Sequence, residues 1–124
     1  MKMKTASLLC GLLALPVGLA QACDAPVAPP VPDGSTATWD EMLSANSEIK
    51  AFMAASNDYL SCVDIKMKEA EADREEGDQT AEEKFALAGA DFNATVSIQE
   101  QLRESWAKAM SNFYDANPDK RPKK

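Results

Sequence analysis

Arg74-Glu75-Glu76-Gly77-Asp78-Gln79-Thr80-Ala81-Glu82-Glu83 is the stretch that decides the fold of this 124-residue chain. Its first half is a polar turn punctuated by Gly77. In its second half, Thr80 and Glu83 stand three apart, the spacing of a capping box, which predicts a new helix starting near Ala81. Going back along the chain, nothing breaks a helix until Trp39, where Thr38 and Glu41 show the same spacing. Apolar or small residues recur in steps of three and four from Met42 through Ile49, Phe52, Met53, Ser56, Tyr59, Leu60, Val63 and Met67 to Ala70. Such steps place them on one helical face. Going forward, a second stripe runs through Phe85, Ala88, Phe92, Thr95, Val96, Gln99, Leu102, Trp106, Ala109 and Met110 to Phe113, and Asn117-Pro118 ends it.

The spacing thus predicts an all-α protein: helices over about 39–76 and 81–116, folded back by the short turn as an antiparallel, coiled-coil-like hairpin occupying 38–117. Pivoting about Asp78 sets Met42 near Tyr114, Ile49 near Trp106, Ser56 near Gln99, Val63 near Phe92 and Ala70 near Phe85. The small polar residues Ser56, Thr95 and Gln99 fall at one level, where they either fix register or sit at a wet boundary. The stripes are wider than one seam, so a lone hairpin leaves apolar surface uncovered. Phe52, Tyr59, Phe92, Trp106 and Phe113 are its candidate association face.

Outside the hairpin the chain changes character. Residues 23–37 begin with Cys23 and hold Pro26, Pro29, Pro30 and Pro32, a density that denies helix and strand and gives an extended arm, closed by a turn at Asp33-Gly34. Residues 1–22 combine Lys2 and Lys4, an apolar run from Ala6 to Ala20, and Ala20-Gln21-Ala22 at the end, which reads as a signal peptide cleaved after Ala22. Pro16 and Gly18 interrupt the run and leave it short of a spanning helix. Residues 118–124 form a basic tail expected to be disordered.

Cleavage there leaves 11 basic against 20 acidic side chains, and two cysteines, Cys23 and Cys62. In an oxidising compartment an even cysteine count in a short chain argues for a disulfide. From Thr38 to Cys62 the helix spans about 36 Å, while the arm reaches about 45 Å. The arm is therefore long enough to run back along the hairpin and be pinned at Cys62. Cys23 also admits a second fate, lipid attachment at a mature N-terminus, although Ala20 and Gln21 stand where lipoprotein signals carry Leu and a small residue.

The composition argues against catalysis. The chain has no histidine, which removes the commonest general base and metal ligand. Its five glycines are scattered and form no phosphate loop. Cys62 lacks the electropositive setting or CxxC partner of a reactive thiol. The acidic cluster from Glu69 to Glu83 lacks the ligand order of a calcium loop and reads as a solvated turn, with a pH-sensing role as the alternative. Asn93-Ala94-Thr95 matches a glycosylation sequon inside a helix. Net negative charge repels nucleic acid, whatever the tail does. The expectations are no enzyme activity, no cofactor and no metal. The expected role is a non-enzymatic periplasmic interaction or scaffold protein that self-associates or docks another envelope protein; an acid-stress holdase and a lipid-anchored envelope protein are the alternatives.

The chain resembles a group of small exported proteins of Gram-negative bacteria. The resemblance rests on Cys23 with its Pro-rich arm, Pro32-Asp33-Gly34 leading through Ala37-Thr38 into Glu41-Met42, Lys50-Ala51-Phe52, Tyr59-Leu60-Ser61-Cys62 and Asp91-Phe92-Asn93-Ala94. It implies periplasmic location and a helical hairpin, and carries over no functional site. Met110-Ser111-Asn112-Phe113-Tyr114 and the basic tail lie outside the pattern.

Overall fold

The computed structural model describes residues 23–123. The signal peptide and its cleavage site, read at residues 1–22, lie outside the described residues. Two helices make up the fold, α1 (Trp39–Glu75) and α2 (Ala81–Ala116), packed along their lengths and followed by one 3-10 turn, Pro118–Lys120. The all-α hairpin expected from the heptad stripes is the fold observed.

Local chemistry explains each end. At the start of α1 the Thr38 hydroxyl accepts the Glu41 N–H (3.3 Å), and the Glu41 carboxylate accepts the Thr38 N–H (2.7 Å), a complete capping box. The Thr38 N–H, and after it the Thr38 hydroxyl donating to the same oxygen at 2.9 Å, hold the Glu41 carboxyl below its ordinary range. At the other end of α1, the Gly77 φ of 92° lies in the left-handed region that favours glycine, and the chain reverses there. The second capping box does not form. Thr80 has helical φ and ψ, and its N–H and hydroxyl both donate to Asp78 Oδ1 at 2.8 Å, so its oxygen caps nothing. The Asp two residues earlier wins the Thr80 hydroxyl by closing a tight side-chain turn. At the C-terminus of α2, the backbone and side-chain N–H groups of Asn117 both donate to the Phe113 carbonyl. The tail expected to be disordered is partly built: Pro118–Lys120 form the 3-10 turn, and Arg121 reaches back 2.7 Å to Asp115.

The seam follows strict heptads. In α1, Met42, Ile49, Ser56, Val63 and Ala70 stand seven apart and all are buried; in α2, Ala81, Ala88, Thr95, Leu102 and Ala109 do the same. A seven-residue apolar repeat keeps a seam facing its partner along a supercoiled pair. The bulk lies near the open end of the hairpin. There Met42, Ala109 and Phe113 form one cluster with Trp106, Met110 and Tyr114 around them, and Ile49, Phe52 and Leu102 form the next. Trp39 lies 5.6 Å from the Phe113 ring centre and closes that end. These clusters put Met42 with Tyr114 and Ile49 with Trp106, as the pivot about Asp78 predicts.

In mid-seam the buried polar groups are satisfied locally. Ser56 and Thr95 donate to the carbonyls of Phe52 (2.7 Å) and Asp91 (2.9 Å) on their own helices. Gln99 Nε2 reaches across to Asn57 Oδ1 at 3.1 Å, a bond that fits one register. Of the readings open for this layer, its buried polar residues match the register device more closely than a wet boundary.

The arm supplies a third element. Cys23 is disulfide-bonded to Cys62, with Cα atoms 5.8 Å apart. The arm then runs toward the open end, where Val31 packs against both apolar clusters. At Gly34 it passes so close to α2 that a Cβ would overlap the Ala109 carbonyl oxygen and sit 3.0 Å from the Phe113 nitrogen. The turn beginning at Asp33, whose carboxylate accepts the Ser35 hydroxyl and N–H, then delivers the chain into Thr38.

Candidate functional site

The arm covers one side of the hairpin from Cys62 to the open end, and the stretch of that side beyond it, lined by Lys66, Glu69, Asp73, Lys84, Leu87 and Asp91, is open. Heptad positions sort the flanks. In α1, Glu41, Glu48 and Cys62 stand seven or fourteen apart beside the arm, and Pro30, Val31 and Pro32 share a groove with Glu41 and Glu48. On the opposite flank, Trp39, Asn46, Met53, Leu60, Met67 and Arg74 also stand seven apart. The matching flank of α2 carries Glu82, Gly89, Val96, Arg103 and Met110.

Three observations register these flanks against each other. Asn46 and Met110 line one groove with Trp39, Leu43 and Trp106. An ideal Cβ on Gly89 would lie 3.9 Å from Met67 Cε. Arg74 faces Glu82 at 3.9 Å. The rungs between follow by spacing: Met53 with Arg103, and Leu60 with Val96. The result is a ladder about 42 Å long from Asn46 to Arg74 at 1.5 Å per residue. Its middle is apolar apart from Arg103, and its tip is charged. The half-buried Met53, Leu60, Met67, Val96 and Met110 lie along it, with Leu43 (47% exposed) and Phe85 (40% exposed) at its edges. No arm residue reaches it by the heptad geometry.

The five residues expected to form an association face do not share a surface. Phe52 and Phe113 are buried inside the seam. Tyr59 is half-buried on the arm side, where burial and then the Asp91 carboxylate push its phenol above the ordinary range. Phe92 and Trp106, seven and twenty-one residues along the stripe from Phe85, lean toward the open side. Sequence periodicity finds a helix's apolar stripe; it does not tell which edge of that stripe a third element covers. The open-side residues missed by that reading, Leu43, Met53, Leu60 and Met67, were visible only as extra width in the stripe.

The other candidate features hold no site chemistry. Cys62 is consumed by its bond to Cys23. In the acidic turn, Lys84 Nζ contacts Asp78 at 2.6 Å and Asp73 at 3.1 Å. The Asp78 carboxyl, bound by Lys84 and then by the N–H and hydroxyl of Thr80, is held down at about 2. The same contacts raise the Lys84 ammonium above its usual value. Among the described residues no three cysteine or acidic side chains converge as a metal site, and no helix is long and apolar enough to cross a membrane. The Thr95 of the sequon is buried and bonded to Asp91.

No family model matches this chain, and neither a curated protein nor a solved structure is significantly similar to it.

Proposed function

We propose that this chain is a periplasmic, non-enzymatic association module whose open, apolar side is covered by another helical surface. The observation that carries the reading is the asymmetry of the hairpin. One side is covered from Cys62 to the open end by a covalently pinned arm; the other carries half-buried Met53, Leu60, Met67, Val96 and Met110 along its length with no arm over them. A pair of helices covered on one side only is an incomplete layer, and helix packing is the common way to complete it. The cysteine pair supports an oxidising compartment such as the periplasm. With Cys23 bonded to Cys62 no thiol remains among the described residues to carry a lipid, so the anchored alternative at Cys23 requires the arm to leave its groove.

The test is a photoreactive side chain placed at Leu60 on the open side or at Leu87, 62% exposed on the arm side, in chain produced in its own cells. Adducts of defined mass from residue 60 and none from residue 87 are the expected result. No adduct from residue 60, or equal labelling from both, would overturn the proposal.

An acid-stress holdase is the second reading, favoured by carboxylates at structural turns. Asp33, Glu41 and Asp78 each hold a turn or cap in their ionised form. As pH falls below the ordinary carboxylate range these contacts weaken and the helix ends loosen, with Asp78, held at about 2, the last to be lost. This reading requires suppression of client aggregation at about pH 3 and none at neutrality, and identical surface exposure at both would end it.

A further inference from the structure

We infer that the occupant of the open side is a second copy of this chain, laid antiparallel across it about a twofold axis at the Leu60–Val96 rung. The inference rests on the association reading above and adds the partner and its orientation.

Leu60 is midway between Asn46 and Arg74, so a twofold axis there lays the bulky Met53–Arg103 rung of one copy over the Met67–Gly89 rung of the other. Gly89 has no side chain, and Met67 Cε lies across it, 3.9 Å from an ideal Cβ, so this rung carries one side chain where the facing rung carries two. A twofold contact of this kind is self-complementary and closes at the dimer. The ladder, about 42 Å long and two helices or about 20 Å wide, offers roughly 800 Å² per copy, the size of a standard stable interface.

The hairpin tip is strongly acidic. Lys84 and Arg74 pair with Asp73, Asp78, Glu71 and Glu82, and among the described residues Glu69, Glu75, Glu76 and Glu83 have no cationic partner. At the opposite end Asp33, Asp40 and Glu41 are acidic, Lys120 and Arg121 pair with Asp119 and Asp115, and Lys123 has no acidic partner among the described residues, so the positive charge is confined to the tail. A parallel pair would bring two acidic tips together. The antiparallel pair sets each tip beside the other copy's basic tail, converting repulsion into attraction. The axis at residue 60 places Asp78 of one copy level with Met42 of the other, so the tail beginning at Pro118 projects just past that tip. Another envelope helix would have to supply both the matching rung spacing and a basic tail; a second copy has both.

The experiment is sedimentation equilibrium on the disulfide-intact chain beginning at Cys23, together with zero-length carbodiimide coupling on a mixture of isotopically light and heavy protein. Twice the chain mass is expected, with coupling of Lys120 or Lys123 to Glu75, Glu76 or Glu83. The 36 residues of α2 hold tip and tail about 54 Å apart in one copy, so such a coupling is intermolecular, and its mixed-isotope mass proves it. Leu60→Glu sets two like charges at the axis and should weaken association by more than about tenfold, whereas Leu87→Glu should leave it unchanged. Glu75→Lys with Glu76→Lys, both at exposed positions that leave the fold alone, should weaken association severalfold at low salt and flatten its salt dependence. A monomer throughout the accessible concentration range overturns the inference, as does a dimer coupled tip to tip or one indifferent to Leu60→Glu. If the chain is monomeric yet residue 60 photolabels a different protein in cells, self-pairing fails while the association module stands. If residue 60 yields no adduct at all, both fail.

Discussion

Reducing the Cys23–Cys62 bond perturbs the arm without touching either helix, and the structure sets what it should cost. The bond closes a loop with a sequence separation of 39. Loop-closure entropy for that length is worth about 4 kcal/mol at 25 °C. The native state recovers part of this, because once released the arm gains freedom of its own. Asp24, Ala25, Val27, Ala28 and Pro30 are exposed, so little besides the bond holds the segment up to Pro30. Val31 and Gly34, packed on the clusters around Met42, Ile49 and Phe113, keep the rest in place. The expected loss is therefore about 2 to 4 kcal/mol, with helix content at low denaturant unchanged. Urea unfolding followed at 222 nm, on oxidised protein and on reduced, alkylated protein, reads it as a lower midpoint at nearly constant slope. Limited proteolysis should then cut the reduced arm before Val31 and spare the hairpin. Coincident midpoints for the two forms would refute the pinned arm as a stabilising element, and loss of helix on reduction alone would refute an independently packed seam.

Gly34→Ala forces a methyl group against the α2 backbone at Ala109 and should cost about 1–3 kcal/mol, read as a melting temperature lower by several degrees; an unchanged temperature would mean the arm does not pass there. Phe113, 1% exposed and packed on Met42, Trp39 and Tyr114, should lose about 3–5 kcal/mol on truncation to alanine, measured by the same unfolding curves. The pH dependence has a defined sign at Asp78. Its folded value of about 2 lies below the ordinary 3.8, so its contribution is complete above about pH 4 and is lost as pH falls toward 2. Asp78→Asn should flatten that part of the acid limb of melting temperature against pH, and an unaltered limb would remove Asp78 as a contributor.

The hairpin was legible because its determinants are local. Thr38 and Glu41 cap α1 as their spacing implies, and two heptad stripes joined by a short glycine-containing turn leave an antiparallel pair as the simple solution. Thr80 shows where local reading stops: the same spacing to Glu83 failed because Asp78 competes for the hydroxyl, and spacing alone does not rank two partners for one group. Gly34 was legible as a turn and illegible as a crossing point, since its second role depends on Ala109, far along the chain. The candidate surface suffered most. Phe52 and Tyr59 belong to the same periodic stripe as Met53 and Leu60, and only the course of the arm separates the covered edge from the open one. That course is a long-range fact created by Cys23, Val31 and Gly34 together.

The methionines offer the most direct test of the claim that the open side is an association surface. Met53, Met67 and Met110 lie on that side, while Met42 is 2% exposed within the seam. Peroxide oxidation should be followed residue by residue by peptide mass spectrometry, in a periplasmic extract and in purified protein before and after dilution. The account expects Met42 to react slowly throughout, and Met53 and Met67 to be slow in the extract and in concentrated protein but fast once diluted. Oxidation of Met53 and Met67 at one fast rate under all three conditions would contradict it, because nothing would then be covering the ladder.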